Sequence, residues 1–268
     1  MADLHTLIRD QPEDVLELIA KSMDVRANEP AMRAICARYM GAIPRVNDLR
    51  VLEIGCGNGA ATAHVLEYVE PRELVGVDPS EAFIRMARER YADRSGIRFD
   101  VGDAVDTGEP DASFDLAIAH TVFSHLPDPA AALQEAYRVL KPGGRLVVFD
   151  GDYATNTVAL FAGDPLQTAM EVALRNLVHD PYVMRRLMVL AREVGFEVEP
   201  LDAHGYVQTT SPDYLLTLLA RGVGAGANAG EMGQDLVEGF VSEALARVEA
   251  GTFYGAILFL SLGALKPA

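Results

Sequence analysis

The stretch Val51-Leu-Glu-Ile-Gly-Cys-Gly-Asn-Gly59 decides how this chain folds. Its apolar residues predict a short strand, and its three glycines predict a tight turn into a helix that begins near Asn58. Glycine suits such a turn because it tolerates positive φ and leaves no Cβ between the backbone and a ligand. The first free N–H groups of the helix favour a carboxylate or a phosphate. The glycines leave the ligand open, because Gly55-x-Gly57-x-x-Ala60 also fits the relaxed dinucleotide-binding pattern.

Strands and helices alternate along the chain after this stretch. Further apolar strands are predicted at 73–78, 97–101, 114–119 and 145–150, with helices at 58–69, 80–91 and 128–140. Ser80 and Asp128 are the predicted N-caps of the last two helices. Such alternation indicates a parallel sheet that is covered on both faces and binds ligands outside the carboxyl ends of its strands. The second strand ends at Asp78, where a carboxylate can accept hydrogen bonds from a ribose diol.

Five elements in order resemble the class I S-adenosylmethionine (SAM)-dependent methyltransferases, in the group that includes the ubiquinone/menaquinone methylases and many small-molecule methyltransferases. They are Val51–Gly59, Gly76-Val-Asp-Pro-Ser80, Gly102-Asp-Ala104, Ser113-Phe-Asp-Leu116 and Arg138-Val-Leu-Lys-Pro-Gly-Gly-Arg145. The resemblance is strong over residues 45–150 and covers the C-terminal third in outline. It implies an α/β fold with a doubly wound, Rossmann-like, mainly parallel seven-stranded sheet, an antiparallel last strand and helical lid insertions. It also implies SAM as the cofactor and in-line methyl transfer to a small-molecule acceptor.

The resemblance assigns the cofactor to residues at the ends of the first four strands. Glu53 would hold the glycine loop or the cofactor's amino group, Asp78 the ribose hydroxyls, and Asp103 the adenine amine. For these acids the alternatives are local backbone pairing, a helix cap for residues 80–91, and a solvated turn, respectively. The other residues that would contact the cofactor are Gly55, Gly57, Gly59, Pro79, Ala104, His120 and Thr121. Arg33, on the second N-terminal helix, is a candidate for the cofactor's carboxylate.

Candidates for a general base are His125, Tyr153 and His179. Methyl transfer needs a base only if the acceptor must lose a proton, because the leaving group is already activated. The alternative for His125 is a structural role at the start of the following helix. Asp150 and Asp152 share one face of a strand, but the sequence offers no third ligand, so no metal site is predicted.

The sequence predicts a SAM-binding core with additional segments before and after it. Residues 1–44 form an N-terminal helical cap, with helices at 12–23 and 29–41, and residues 45–152 form the SAM-binding core. Residues 153–210 add helices, including one at 182–194 that stops at Gly195, and a sixth strand at 196–201. Residues 211–250 are a lid insertion with a glycine-rich hinge at 222–233, and residues 251–268 contain the closing strand 252–264. An apolar lid would exclude water and shape an apolar or aromatic acceptor pocket.

Charge and composition favour a cytoplasmic enzyme acting on a small molecule. The chain has 268 residues and a formal net charge of −16, which argues against a nucleic-acid partner because phosphates would be repelled. Two cysteines fit a reducing compartment. No signal peptide is recognisable near the start, and the apolar run 255–265 is too short to cross a bilayer, so no membrane association is predicted. The sequence leaves the oligomeric state open, a homodimer included.

Three other functions stay open from the sequence. A nicotinamide-dependent oxidoreductase shares the glycine turn, but such an enzyme does not require the Gly102-Asp-Ala104 element or the closing antiparallel strands. A SAM-binding module or a cyclase could keep the cofactor residues without transferring a methyl group. Methylation of a protein or a tRNA is disfavoured by the acidity of the chain.

Overall fold

A mostly parallel β-sheet forms the centre of the protein. The structure, a computed structural model, describes residues 8–44, 48–210 and 212–268. The strands are β1 (Arg50–Ile54), β2 (Glu73–Asp78), β3 (Ile97–Val101), β4 (Phe114–His120), β5 (Leu140–Thr157), β6 (Glu197–Val198), β7 (Asp202–Gln208) and β8 (Gly255–Leu265). Their order across the sheet is β3-β2-β1-β4-β5-β8, followed by β6 and β7, which both pair with β8. Strands β1 to β5 are parallel, and β8 runs antiparallel to β5. The predicted doubly wound sheet with an antiparallel closing strand is confirmed.

The sixth position of the sheet differs from the prediction. The predicted strand 196–201 contains only the short β6, and the main edge strand is β7, which begins at Asp202. Both segments pair with β8, but the register shifts by one residue between the pair Glu197–Leu265 and the pair Asp202–Ser261. One extra residue in the edge strand produces a bulge, which interrupts the ladder. Eight strand segments therefore occupy the seven predicted positions.

Helices cover both faces of this sheet. They are α1 (Glu13–Asn28), α2 (Pro30–Gly41), α3 (Thr62–Tyr68), α4 (Glu81–Arg90), α5 (Pro129–Val139), α6 (Pro165–Leu177), α7 (Val183–Val194), α8 (Asp213–Asn228) and α9 (Gln234–Glu249). The predicted caps are confirmed: Ser80 accepts from the N–H of Phe83, and Asp128 accepts from the N–H of Ala131. Gly195 ends α7 in the left-handed region, as expected. No helix in the described parts of the chain combines the length and apolar character that a membrane span requires.

The turn after β1 is longer than the sequence suggested. Helix α3 begins at Thr62 rather than near Asn58, and residues 55–61 form turns. The reason lies in the Asn58 side chain, whose Oδ1 accepts from the N–H of Ala60 at 3.1 Å and whose Nδ2 donates to the carbonyl of Ala20 at 3.2 Å. Asn58 therefore holds the turn in place and connects it to α1 instead of starting the helix.

The glycine-rich stretch 222–233, expected to be a hinge, is largely helical. Its first glycines lie inside α8, which ends at Asn228. A Cβ at Gly222 would lie 2.4 Å from Cα of Ala173 in α6, so the missing side chain lets the two helices pack closely. Glycine here serves tertiary packing, and only the short turn between α8 and α9 stays outside a helix.

Candidate active site

A cavity of about 480 Å³ lies at the carboxyl ends of the parallel strands, where ligand sites of such sheets occur. This volume is within the range of small-molecule sites. Of the thirteen predicted site residues, ten line the cavity: Gly55, Gly57, Asp78, Pro79, Asp103, Ala104, His120, Thr121, His125 and Tyr153. The folding of distant segments therefore brings together most of the residues that the resemblance selected.

Asp78 is buried and holds the glycine turn. Its two carboxylate oxygens accept hydrogen bonds from the N–H groups of Gly57 and Ser80, both at 2.9 Å. Gly55 and Gly57 have φ of +68° and +54°, which favours glycine at both positions. Burial raises the pKa of Asp78 to about 6. A carboxylate has about four acceptor sites, so two of them stay free for hydroxyl donors.

Asp103 and Ala104 lie on the neighbouring strand end. The Asp103 carboxylate pairs with Arg9 at 3.0 Å and accepts from the N–H of Val105 at 3.2 Å. Both charged side chains of this pair are well exposed, so the contact is weak and can open for a ligand.

Two of the predicted cofactor residues, Glu53 and Gly59, do not line the cavity. Glu53 is buried beneath the turn, where it accepts from the Thr62 hydroxyl at 2.6 Å, and burial raises its pKa to about 7. Gly59 has φ of +78°, and its carbonyl accepts from the Tyr91 hydroxyl at 2.9 Å. Both residues therefore support the glycine turn without lining the cavity.

The end of β4 carries a hydrogen-bonded aromatic cluster. His120 Nδ1 lies 2.7 Å from the Tyr39 hydroxyl, and both rings stack on Phe149. Burial, with the nearby charge of Arg26, lowers the pKa of His120 well below its usual range, so the imidazole is neutral. Thr121 follows with φ of +56°, an unusual conformation for a β-branched residue. Strain of this kind is often found at functional sites.

The three base candidates are not equivalent in the structure. His125 and Tyr153 line the cavity, whereas His179 is exposed and does not. Burial raises the pKa of Tyr153 well above 10, which keeps its hydroxyl neutral and disfavours it as a base. His125 closes a short 3-10 helix, residues 123–125, whose Ser124 binds the buried carboxylate of Asp150 through both its N–H and its hydroxyl.

The two acids on β5 are occupied by protein partners. Asp150 accepts from Ser124 and from the N–H of Gly151, and Asp152 pairs with Arg185 at 2.9 Å. In the described residues no group of three His, Cys, Asp or Glu side chains is arranged to hold a metal ion.

The polar cavity residues that the sequence analysis did not assign to the site include Arg26, Tyr214 and Arg221. Arg26 follows the predicted end of the first helix, which actually continues to Asn28. Extending that amphipathic pattern beyond residue 23 would have placed Arg26 on the helix. Arg33, which was considered instead, forms an exposed ion pair with Glu67 at 3.5 Å and does not line the cavity.

Residues 52–148 match a family model described as a methyltransferase domain. That segment contains the glycine turn, Asp78 and the strand ends around the cavity. This segment belongs to the methyltransferase-domain family, and the chain as a whole is similar to the class I SAM-dependent methyltransferases.

Curated methyltransferases align with this chain over part of their length. The O-methyltransferase cnsE of Penicillium expansum is 30% identical over 193 residues, which are 70% of this chain and 64% of that protein. A demethylmenaquinone methyltransferase of Deinococcus radiodurans is 33% identical over 135 residues, 50% of this chain and 54% of that protein. Four of the curated relatives are matched over only 45% to 64% of their own length.

Among solved structures, a protein of Bacillus halodurans C-125 described as a methyltransferase superposes with a TM-score of 0.63. The superposition covers 88% of this chain and all of that chain, at 20% sequence identity. At this identity the likeness bears on the fold alone.

Proposed function

We propose that this protein transfers a methyl group from SAM to a small-molecule acceptor. The observation that carries the proposal is Asp78, a buried carboxylate that faces the cavity and holds the glycine turn through the N–H of Gly57. Gly55 and Gly57 of the turn line the same cavity, and the carboxylate has free acceptor sites for a ribose diol. These two features fit the nucleoside part of SAM.

The proposed cofactor contacts follow the strand ends. Asp78 would accept from the ribose hydroxyls, and Asp103, with Ala104, from the adenine amine. The main-chain atoms of His120 and Thr121 would lie near the sulfonium, and Gly55, Gly57 and Pro79 would line the path between ribose and sulfonium. We propose an indirect role for Glu53 and Gly59, because both support the turn without lining the cavity.

SAM supplies an activated methyl group whose leaving group is a neutral thioether. The chain's own residues have to align two bound reactants and exclude water, and such alignment contributes roughly 7–11 kcal/mol. The ends of β1 to β3 would hold the donor. Tyr153 of β5, together with Leu177, Val178 and Leu218 of the same cavity lining, would hold the acceptor. The apolar character of these last residues favours an apolar or aromatic acceptor, in keeping with the O-methyltransferase and demethylmenaquinone methyltransferase relatives.

We propose that α8 is the cover of the acceptor pocket within the segment 211–250. Tyr214, Leu218 and Arg221 of α8 line the cavity, whereas no described residue of α9 does. Leu216 and Leu219 do not line the cavity, although they pack against or within the same apolar cluster as Tyr214 and Leu218. We further propose that the protein acts in the cytoplasm and that its substrate is not a nucleic acid. Light scattering tests whether the protein forms a homodimer.

The test of the cofactor is calorimetric titration with SAM, S-adenosylhomocysteine (SAH) and NAD. We expect micromolar binding of SAM and SAH and no detectable binding of NAD, because the Gly102-Asp-Ala104 element and the antiparallel closing strand are features that a nicotinamide-dependent oxidoreductase does not require. Preferential binding of NAD would contradict the proposal that the protein is a methyltransferase. Labelled methyl transfer into a metabolite library then separates an enzyme from a protein that binds SAM without transferring its methyl group.

We expect His125→Gln to lower turnover by no more than about threefold. The short helix of His125 is fixed by Ser124 and Asp150, so its position suits a positioning role, and glutamine keeps hydrogen-bonding capacity at that place. The measurement is kcat and KM with the acceptor found in the library screen. A loss of a hundredfold in kcat, with SAH affinity unchanged, would make His125 the general base.

A further inference from the structure

The cavity contains an arginine that the described chain leaves without a counter-charge. Arg221 of α8 donates from Nη1 to the Ser22 hydroxyl at 2.9 Å. Its Nη2 is buried and has no hydrogen-bond partner among the described residues. A second arginine, Arg26 of α1, lines the same cavity, with its guanidinium carbon 5.9 Å from the centre of the Tyr214 ring. Two cations and two phenols, Tyr153 and Tyr214, thus meet at one end of the cavity.

This arrangement is unfavourable unless something else binds there. Leaving a buried charged donor without an acceptor costs more free energy than leaving a neutral donor unpaired. Burial and the charge of Arg26 lower the pKa of Arg221 to about 10, although the tyrosines oppose the shift, so the guanidinium still carries its charge at pH 7. The chain has 39 acidic and 23 basic residues, yet no described carboxylate forms an ion pair with Arg221.

The cofactor, with the contacts proposed above, does not supply the missing charge at this position. Its proposed contacts lie on β1 to β4, whereas Arg221 lies on α8 with Leu218 one turn before it. Leu218 belongs to the same apolar cluster as Tyr153, Leu177 and Val178, which we assign to the acceptor. SAM also carries a sulfonium and an ammonium beside its one carboxylate, so its binding adds net positive charge to the cavity.

We propose that the acceptor carries an anionic group, such as a carboxylate, which accepts a hydrogen bond from Nη2 of Arg221. Arg26 adds a second positive charge, and the apolar body of the acceptor packs on Leu177, Val178 and Leu218. A guanidinium suits this task because its planar donors match the two oxygens of a carboxylate. The inference refines the proposed function, since it names the class of acceptor for the same site.

The test compares anionic ligands with neutral ligands of the same shape. Octanoate and benzoate, each against its amide, are titrated into the wild-type protein with and without saturating SAH. We expect at least one carboxylate to bind ten- to a hundredfold more tightly than its amide, as charge-assisted hydrogen bonds allow. Arg221→Gln should remove this preference and leave amide binding unchanged. Octyl sulfate, titrated in parallel, shows whether the site requires a carboxylate or accepts other anions.

A matched control variant and a second pair of ligands distinguish binding of the acceptor by Arg221 from binding of the cofactor. Arg192→Gln removes an exposed arginine of α7 that does not line the cavity, so it should change neither preference nor affinity. If Arg221 instead holds the cofactor's carboxylate, Arg221→Gln will weaken SAH binding but not the binding of 5′-methylthioadenosine, which lacks that carboxylate. That result overturns the inference, as does equal affinity for both carboxylates and their amides. If the wild-type protein fails to bind SAH, the proposed function fails, and the carboxylate titration without SAH still decides the inference.

Discussion

Replacing Asp78 with alanine should weaken SAH binding by about a hundredfold, since hydrogen bonds to a charged group contribute about 1.5–3 kcal/mol. The variant loses the acceptor for the ribose hydroxyls and also the partner of the Gly57 and Ser80 N–H groups. The glycine turn should therefore become less ordered, and the melting temperature of the unliganded protein should fall. Calorimetric titration and thermal unfolding measure the two effects separately.

Asp78→Asn is the matched variant because it keeps the shape and one acceptor oxygen, so we expect a loss of about tenfold. Asp93→Ala removes an exposed acid after α4 and should leave SAH affinity unchanged. Normal SAH binding by Asp78→Ala would show that this acid merely organises the start of α4.

The raised pKa of Asp78 adds a pH dependence to the same experiment. Burial raises this pKa from 3.8 to about 6, and a protonated carboxyl is the poorer acceptor for a ribose diol. SAH affinity should therefore fall as the pH drops below about 6, and Asp78→Asn should abolish that dependence. In the unliganded protein the sign for stability is opposite: the proton-linked contribution of Asp78 is full below pH 3.8 and is lost as the pH rises through about 6. The hydrogen bonds from the Gly57 and Ser80 N–H groups remain when Asp78 is ionised.

The sequence predicted those parts of the molecule that short-range chemistry determines. The bounds of β2 and β3 agree with their predicted ranges, because β2 is mainly an apolar run and β3 alternates apolar with charged residues. The caps at Ser80, Asp128 and Gly195 were predictable for the same reason: each depends on a side chain or a backbone conformation within three residues.

What the sequence did not predict depends on long-range packing. Arg221 and its partner Ser22 are 199 residues apart in the chain, and no local pattern marks an arginine whose neighbours are so distant. Gly222 has the composition of a flexible segment, but its lack of a side chain serves the contact with Ala173. His179 has the chemistry of a base and an exposed position away from the cavity, so residue type alone could not place it.

An ion pair between Arg247 and Asp164 attaches α9 to the start of α6. Arg247 donates from Nη1 and Nη2 to the two carboxylate oxygens of Asp164 at 2.7 and 2.9 Å. Asp164 is fully buried, and the Arg247 side chain is 10% exposed. The carboxylate also accepts from the N–H groups of Leu160 and Leu166. The hydrogen bonds from Arg247 hold the pKa of Asp164 well below its usual range.

Arg247→Met should therefore lower the free energy of unfolding by about 3–5 kcal/mol, because it leaves a buried carboxylate without its counter-charge. Denaturant unfolding measures this loss. Arg33→Met is the matched control, since its pair with Glu67 is half exposed and such pairs contribute about 0–1 kcal/mol. The difference between wild type and Arg247→Met should shrink as the pH falls below 4, where a group with a lowered folded pKa loses its contribution.

The same variant distinguishes a movable cover from a fixed scaffold within the segment 211–250. No described residue of α9 lines the cavity, so Arg247→Met should leave SAH affinity within about twofold of wild type. In the wild-type protein, hydrogen exchange should slow in α8 when SAH and octanoate are added, while α9, held by the ion pair, should exchange slowly with or without ligand. If instead Arg247→Met costs no more stability than Arg33→Met, and exchange in α9 responds to ligand as α8 does, the ion pair opens in solution and both helices move as one lid.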